Sequence, residues 1–391
     1  MRIVRSALSI VYISVMVISM PDSRRNKRLV FAGGGHAHLY SLARTGKLVR
    51  RGFDVTLVDR SPYLYYSGMA TGVISGVYAP DEHRIDLRRL VEEGGGKFVE
   101  GRITEIRAKS KELVLETGEE IRYDAASFCL GSEIPWDGLA EDETGVVRVK
   151  PIENTNEIRR RLLAFDGDRA PRVLVVGGGA AGCEVAANTL ALLDRLGLEG
   201  DLTVVHEGES LLPSAPKRAR AQILRSLRER GAKVLASTLV THLGDGVART
   251  DNGREIPYDL SVLSVGVSPP GVFRASGLPT GDNGGLWVDR HLRSIGDERL
   301  FGGGDCVSFR GEALPKLGVF AVRQGPVIFR NLQAVLRHEP LEEYRPQKRF
   351  LYVLNLGDGD GLAVYGPFAW RGKLAWKLKN RIDEKFVEEY R

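Results

Sequence analysis

The sequence predicts an α/β fold built from two parallel-sheet units, one inserted into the other, on three observations. Glycine is abundant, 46 of 391 residues or about 12% where ~7% is usual, and it clusters in short runs directly after apolar segments. Two of those runs, Gly33-Gly34-Gly35 and Gly177-Gly178-Gly179, each lie between an apolar strand and a helix-like stretch, with a second strand further on. Segments beyond residue 280 then resume the pattern left off near residue 150, as an interrupted first unit would. The length accommodates two to three domains at about 150 residues each. With 43% hydrophobic and 27% charged residues, disorder is excluded for most of the chain. The net charge of +6, from 56 basic and 50 acidic residues, does not point to nucleic acid, and no such partner is expected. Cys129, Cys183 and Cys306 form no close pair. That excludes a disulfide scaffold or a cysteine zinc site and fits a reducing compartment; no metal is expected.

Residues 7–20 form one apolar run of 14, between Arg2 and Arg5 on one side and Arg24, Arg25, Lys27 and Arg28 on the other. Spanning a bilayer takes about 20 apolar residues, so the run is short, and no small-x-small cleavage site follows it. Basic flanks on both sides remove any orientation signal. The plainer expectation is translation from Met20, which leaves 1–27 outside the folded domains; a membrane-associating anchor and an exported signal are the alternatives.

From Arg28 the chain reads RLVFAGGGHAHLYSLARTGKLVRRGFDVTLVDRS. A strand at 29–32 runs into the glycines. Gly33 permits the tight turn, Gly34 follows, and Gly35 lets the backbone approach a pyrophosphate at a helix N-terminus. A second strand at 55–58 ends at Asp59, 26 residues past Gly33, where a carboxylate can accept hydrogen bonds from adenosine ribose hydroxyls. The third glycine position holds His38. The second unit, PRVLVVGGGAAGCEVAANTLALL, has a strand at 173–176, a full GxGxxG at Gly177, Gly179 and Gly182, and a strand at 202–205 ending in His206-Glu207. Two such turns in strand–turn–helix context predict two Rossmann-like dinucleotide-binding domains.

Tyr123-Asp124 leads into a short apolar strand and Gly131, and Tyr258-Asp259 leads into 260–265 and Gly266. Each reads as a strand returning to its sheet and closing one nucleotide domain. Near residue 300, RLFGGGDCVSF ends a strand in Gly303-Gly304-Asp305; an acid there, beside a helix N-terminus, can bond the ribityl chain of a flavin nucleotide. The alternating stretch 97–122 reads as strands with turns between them. The expected division is 28–150 and 276–335 for one nucleotide domain, 151–275 for the inserted one, and 336–391 for a C-terminal α+β segment.

This order resembles the two-dinucleotide-binding-domain flavoproteins of the pyridine nucleotide-disulfide oxidoreductase superfamily. Within it, the GDC at Gly304–Cys306, PKLGVFAVRQG at 315–325 and a basic aromatic C-terminus are similar to type II NADH dehydrogenases. YSGMATGVISGVY followed by HRIDL resembles the NADH-dehydrogenase-like module fused to selenide water dikinase, which also carries a GGGHxH turn. The resemblance covers about residues 28–390. It implies FAD in the interrupted domain, held by Gly33, Gly34, Gly35, His36, Asp59, Gly131, Gly304 and Asp305. It implies NAD(P)H in the inserted domain, held by Gly177, Gly179, Gly182, Glu184, Glu207 and Gly266. The implied activity is an FAD-dependent NAD(P)H oxidoreductase in which hydride passes from nicotinamide to flavin and electrons leave to a quinone or another electron acceptor. A soluble reductase with a small or protein acceptor, and a flavin-binding sensor of the apoptosis-inducing-factor type, are the alternatives. A homodimer is allowed.

The candidate catalytic residues are Glu184, His36 and Gln324. Glu184 either complements the dipole of the helix after the second glycine turn or, as the resemblance implies, lies near nicotinamide and quinone. His36, with His38, either packs neutral under the cofactor or delivers protons, since histidine titrates near neutral pH. Gln324 resembles a glutamine of the type II dehydrogenase quinone site. Glu207 at the strand end would bond a 2′-hydroxyl and repel a 2′-phosphate, which favours NADH; a one-residue slip would put His206 there. Tyr63, Tyr65, Tyr66 and Met69 line an acceptor pocket or simply pack. The cysteines are read as buried and inert, because the CxxxxC pair of the dithiol enzymes is absent.

Over 371–391, Leu374, Leu378, Ile382 and Phe386 recur every four residues as one helical stripe. Trp370 and Trp376 suit an interface, and seven bases against four acids give +3. Such a helix can lie on an anionic bilayer or dock the same stripe on its own domain. Membrane-surface contact is expected, with the protein cytoplasmic and peripheral on the inner face of the cell membrane.

Overall fold

Strands that are apolar on both faces belong in a parallel sheet covered by helices, and two such sheets form. The computed structural model describes residues 26–135, 144–167 and 169–391; the apolar run at 7–20 lies outside them. The first sheet runs Leu300–Gly302, Ala125–Phe128, Lys27–Ala32, Phe53–Asp59, Lys97–Glu100, all parallel. The second runs Val146–Arg148, Leu260–Leu263, Arg172–Val176, Asp201–Val205, Lys233–Leu235, again all parallel. The edge strand of the first sheet comes after the whole second sheet, so the chain leaves the first unit and returns to it. Val146–Arg148 pairs with Leu260–Leu263, which starts the second sheet upstream of the expected boundary at residue 151.

The strand registers allow the two units to be laid on each other. Ala32 faces Val58 on one side and Phe128 on the other; Val176 faces Val205 and Leu263. Counting outward from these pairs, Gly33 matches Gly177, Asp59 matches His206, and Gly131 matches Gly266. The opposite ends of the strands repeat as well. Arg28 donates its backbone N–H and guanidinium to Asp124 at 2.7 and 3.0 Å, and Arg172 does the same to Asp259 at 2.7 and 2.9 Å. Each of these aspartates follows a three-stranded antiparallel sheet, Ile103–Arg107, Glu112–Leu115, Glu120–Arg122 in one unit and Val240–Gly244, Val247–Thr250, Glu255–Pro257 in the other.

Helix Ser67–Ser75 lies between the units, and its last carbonyls accept from two arginines of the second: Arg159 to Ile74 O at 2.9 Å and Arg195 to Ser75 O at 2.5 Å. After the long helix Gly318–Arg337 come strands Leu351–Asn355, Gly361–Tyr365 and Phe368–Gly372, then helix Lys373–Glu389. Leu354, Leu356 and Leu362 join the core of the inserted unit, while Val387 and Tyr390 join that of the first. This segment fastens the two units together, each buried leucine contributing about 1.5–3 kcal/mol. Among the described residues no helix is long and apolar enough to cross a membrane.

Candidate active site

Both glycine turns sit at the carboxyl ends of their strands, where open α/β sheets place ligands. Gly33 has a φ of +84°, in the left-handed region that glycine tolerates best. A Cβ at Gly33 would lie 2.5 Å from Cys129 O, and one at Gly35 would lie 2.5 Å from Cys129 Sγ. The turn therefore packs directly on the Cys129 segment, a tighter constraint at Gly35 than room for a pyrophosphate alone. Gly34 N–H donates to Asp59 Oδ2 at 2.6 Å and Ser61 N–H to Oδ1 at 3.0 Å. Burial pushes the Asp59 carboxyl up, and these donors only partly offset it. Each oxygen keeps a further lone pair for a ribose hydroxyl. His38 is fully buried, with Nδ1 2.6 Å from Gly33 O and Nε2 2.8 Å from Ser127 Oγ. It closes the first turn by hydrogen bonding where Gly182 closes the second by contact with Gly177 O. That is why the third glycine can be absent.

Among the described residues His36 Nε2 is buried without a hydrogen-bond partner, and its ring lies 5.5 Å from Tyr66 and 6.1 Å from Phe386 between centroids. Burial pushes the imidazole down to about 4. It is neutral at pH 7, the first of the two alternatives given for it above. Asp305 accepts from Lys150 Nζ and Ser132 Oγ, both at 2.9 Å. Burial pushes this carboxyl up, but the Lys150 ammonium and the two hydrogen bonds outweigh it and leave it below the usual range. Gln324, expected near a quinone, is 1% exposed and accepts the Gly304 N–H through Oε1 at 2.7 Å. In this structure it holds the turn that presents Asp305. The orphaned His36 nitrogen, the open space around Gly131 and the Asp59 and Asp305 carboxylates fit FAD.

In the inserted unit a Cβ at Gly179 or Gly266 would have nothing within 4 Å, so the space over the second turn is open. It lies at the N-terminus of helix Ala180–Arg195, a cradle that fits the pyrophosphate of a second dinucleotide. Among the described residues Ser264 Oγ and His206 Nε2 are buried beside this turn without partners. Glu207 is exposed and stands one residue past the strand-end position, which His206 holds.

Glu184 is the fifth residue of that helix, too far along to serve as a first-turn charge. Its Oε1 accepts the Asn355 N–H at 2.7 Å. Burial pushes its carboxyl up to about 7, helped by Asp383 and opposed by Lys379 and the Asn355 bond. Lys379 and Asp383 are both buried and pair at 2.6 Å. Lys379 Nζ also donates to Gly68 O at 2.5 Å, and Tyr66 O–H donates to Asp383 Oδ1 at 2.9 Å. Tyr66 in turn stacks on Phe386 at 4.7 Å. A polar cluster thus ties the C-terminal helix to the Tyr66–Gly68 segment, whose Tyr66 ring lies against His36 of the first glycine turn, within electrostatic reach of Glu184 from the inserted unit. Tyr66 and the buried Met69 belong to this region, whereas Tyr63 lies under Arg84 at 4.8 Å and Tyr65 against His83 at 5.3 Å.

Sequence reasoning missed Lys379, Asp383, Asn355 and Lys150. The i, i+4 spacing of Lys379 and Asp383 was readable as a helix pair, but such pairs are usually exposed. Asn355 acts here through its backbone, which leaves no signal. The three cysteines are free and buried, and burial pushes the Cys183 and Cys306 thiols up to about 12, which fits inert thiols. On the C-terminal helix, Leu374, Leu378 and Ile382 are 79%, 39% and 47% exposed. Phe386, the fourth of the stripe, and Trp376 instead pack inward, on Tyr66 and Tyr78. The helix docks through Ala375, Lys379, Asp383 and Val387.

The family model for pyridine nucleotide-disulphide oxidoreductases matches residues 27–325. The demethylphylloquinone reductase NdbB of Synechocystis is 27% identical over 374 residues, 90% of each chain. The NADH dehydrogenase-like protein YutJ of Bacillus subtilis is 26% identical, over 91% of this chain and 97% of its own. The solved sulfide:quinone oxidoreductase of Aquifex aeolicus superimposes with a TM-score of 0.79 at 17% identity, covering 93% of this chain and 91% of that one; at that identity the likeness speaks for the fold alone. The family match spans both nucleotide units, and the chain belongs to the pyridine nucleotide-disulphide oxidoreductase family, as an enzyme that works with FAD and NAD(P)H.

Proposed function

We propose that the protein is an NAD(P)H:quinone oxidoreductase of the type II NADH dehydrogenase kind, working peripherally on the inner face of the cell membrane. The observation that carries this reading is the convergence of Glu184, from the inserted unit, with Tyr66, Lys379 and Asp383 beside His36 at the first glycine turn. Similarity to a demethylphylloquinone reductase supports a quinone as acceptor. When bound, FAD supplies the two-electron relay between nicotinamide and acceptor. The Gly33–Gly35 turn, Asp59 and Asp305 hold that group, and the Gly177–Gly182 turn holds the pyridine nucleotide. Converting a quinone to a quinol takes up two protons. Glu184, near pH 7, exchanges one where the protein works. Tyr66 O–H and Lys379 Nζ both donate to Asp383, which keeps donors ordered close to the acceptor. The rings of His36, Tyr66 and Phe386 shield the turn from bulk water.

The outward-facing Leu374, Leu378 and Ile382 support membrane contact, because the fold leaves this apolar surface unused. Lys373, Lys377, Arg381 and Lys385 are exposed on the same helix, each worth about 1 kcal/mol near an anionic surface. Phe368 and Trp370 are exposed on the strand that precedes it. The test is steady-state NADH oxidation with a short-chain ubiquinone or menaquinone, alongside flotation with anionic liposomes. Rapid turnover and co-flotation at low salt are expected. A reduced protein that accumulates without quinone turnover would favour the sensor reading.

A further inference from the structure

Resting on the reading of the inserted unit as the NAD(P)H site, we propose that His206, and not Glu207, governs the choice of pyridine nucleotide, and that this site accepts the 2′-phosphorylated nucleotide alongside the unphosphorylated one. The internal duplication supplies the comparison. In the first unit the residue following the Ala32–Val58 pair is Asp59, whose Oδ2 takes the amide of the middle glycine, Gly34, at 2.6 Å. The residue following the equivalent Val176–Val205 pair is His206. Its ring fills the corresponding notch, since a Cβ on the middle glycine, Gly178, would lie 2.8 Å from His206 Cγ. Among the described residues no carboxylate accepts from the Gly178 amide.

A strand-end acid discriminates because it accepts from both ribose hydroxyls and repels a 2′-phosphate. An imidazole there brings no negative charge. His206 is 5% exposed, and among the described residues its Nε2 is buried without a partner, so this position carries an unsatisfied polar atom that a ribose hydroxyl or a phosphate oxygen would satisfy. Glu207 lies one residue beyond the matched position and is exposed, where its charge is screened by solvent and salt.

The test uses two redox-inert fragments, ADP-ribose and 2′-phospho-ADP-ribose, titrated calorimetrically into the FAD-loaded protein, so that no electron transfer is needed. The wild type is expected to bind them with affinities within tenfold, about 1.4 kcal/mol. His206→Glu should weaken the phosphorylated fragment at least tenfold relative to ADP-ribose, and Glu207→Gln should change the ratio less than threefold. His206→Asp, which copies Asp59, serves if the glutamate variant misfolds. A wild type that discriminates against the 2′-phosphate more than tenfold overturns the proposal. So does a ratio that moves with Glu207→Gln and not with His206→Glu. Binding of ADP-ribose alone would leave the nucleotide-site reading standing while this inference fails; binding of neither would remove both.

Discussion

A carboxyl that burial holds near pH 7, as at Glu184, gives up its proton in the range where the proposed quinone reduction needs one. Glu184→Gln should therefore slow the acceptor step by about 10²-fold or more, while flavin reduction by NADH persists; stopped-flow absorbance separates the two. The same group marks stability. Its folded value of about 7 lies above the free value of 4.5, so the folded chain binds the proton more tightly between those values. The contribution of Glu184 to stability should therefore fall as pH rises from about 4.5 to about 7, read in chemical denaturation as the difference between the wild type and Glu184→Gln across that range. At the glycines, Gly35→Val meets Cys129 and should purify colourless. Gly179→Val points into open space and should keep FAD yet fail to bleach with NADH. These turns were legible because glycine spacing encodes backbone geometry. The surroundings of His36 and Gln324 were not, because the same residue types serve a titrating site, a buried neutral ring or a turn clamp, and only their neighbours distinguish these.

The C-terminal sheet and helix show how far periodicity reaches. A four-residue repeat announced an apolar stripe, and the helix carries it. Which side faces outward was not readable, because the docking side, Ala375, Lys379, Asp383 and Val387, follows the same spacing and contains a buried ion pair. Two substitutions separate the faces. Leu362→Ala, in the buried sheet, should cost about 2–5 kcal/mol, seen as a lowered denaturation midpoint. Replacing Leu374, Leu378 and Ile382 together with serine should move stability by only about 0.5 kcal/mol per site but release the protein from anionic liposomes. Loss of stability without loss of flotation would mean the stripe is structural.

Across the whole molecule, the duplicated sheet was legible because both strand–glycine–helix units carry it, down to the paired Tyr-Asp segments. The point where the second sheet begins was not, since an edge strand as short as Val146–Arg148 has no periodicity to read. Burial also sets a global pH response. His36, His38 and His83 are pushed down to about 4, against 6.5 for the free group. The unfolded chain therefore binds more protons between these values, and stability should fall as pH drops from about 6.5 to about 4. Glu184 acts in the opposite sense over much of that window, but three histidines outnumber it, so scanning calorimetry without added cofactor should find Tm falling toward acid, more steeply in Glu184→Gln. What unites the molecule is that Glu184 of the inserted unit reaches the Tyr66, Lys379 and Asp383 cluster beside the first glycine turn, where the proposed activity passes electrons to a quinone. The most direct measurement is anaerobic stopped-flow: reduce the FAD-loaded protein with one equivalent of NADH, then mix it with a short-chain ubiquinone or menaquinone. The flavin should reoxidise at least as fast as steady-state turnover, with one quinol formed per flavin; a flavin that stays reduced in the presence of excess quinone would contradict the proposed activity.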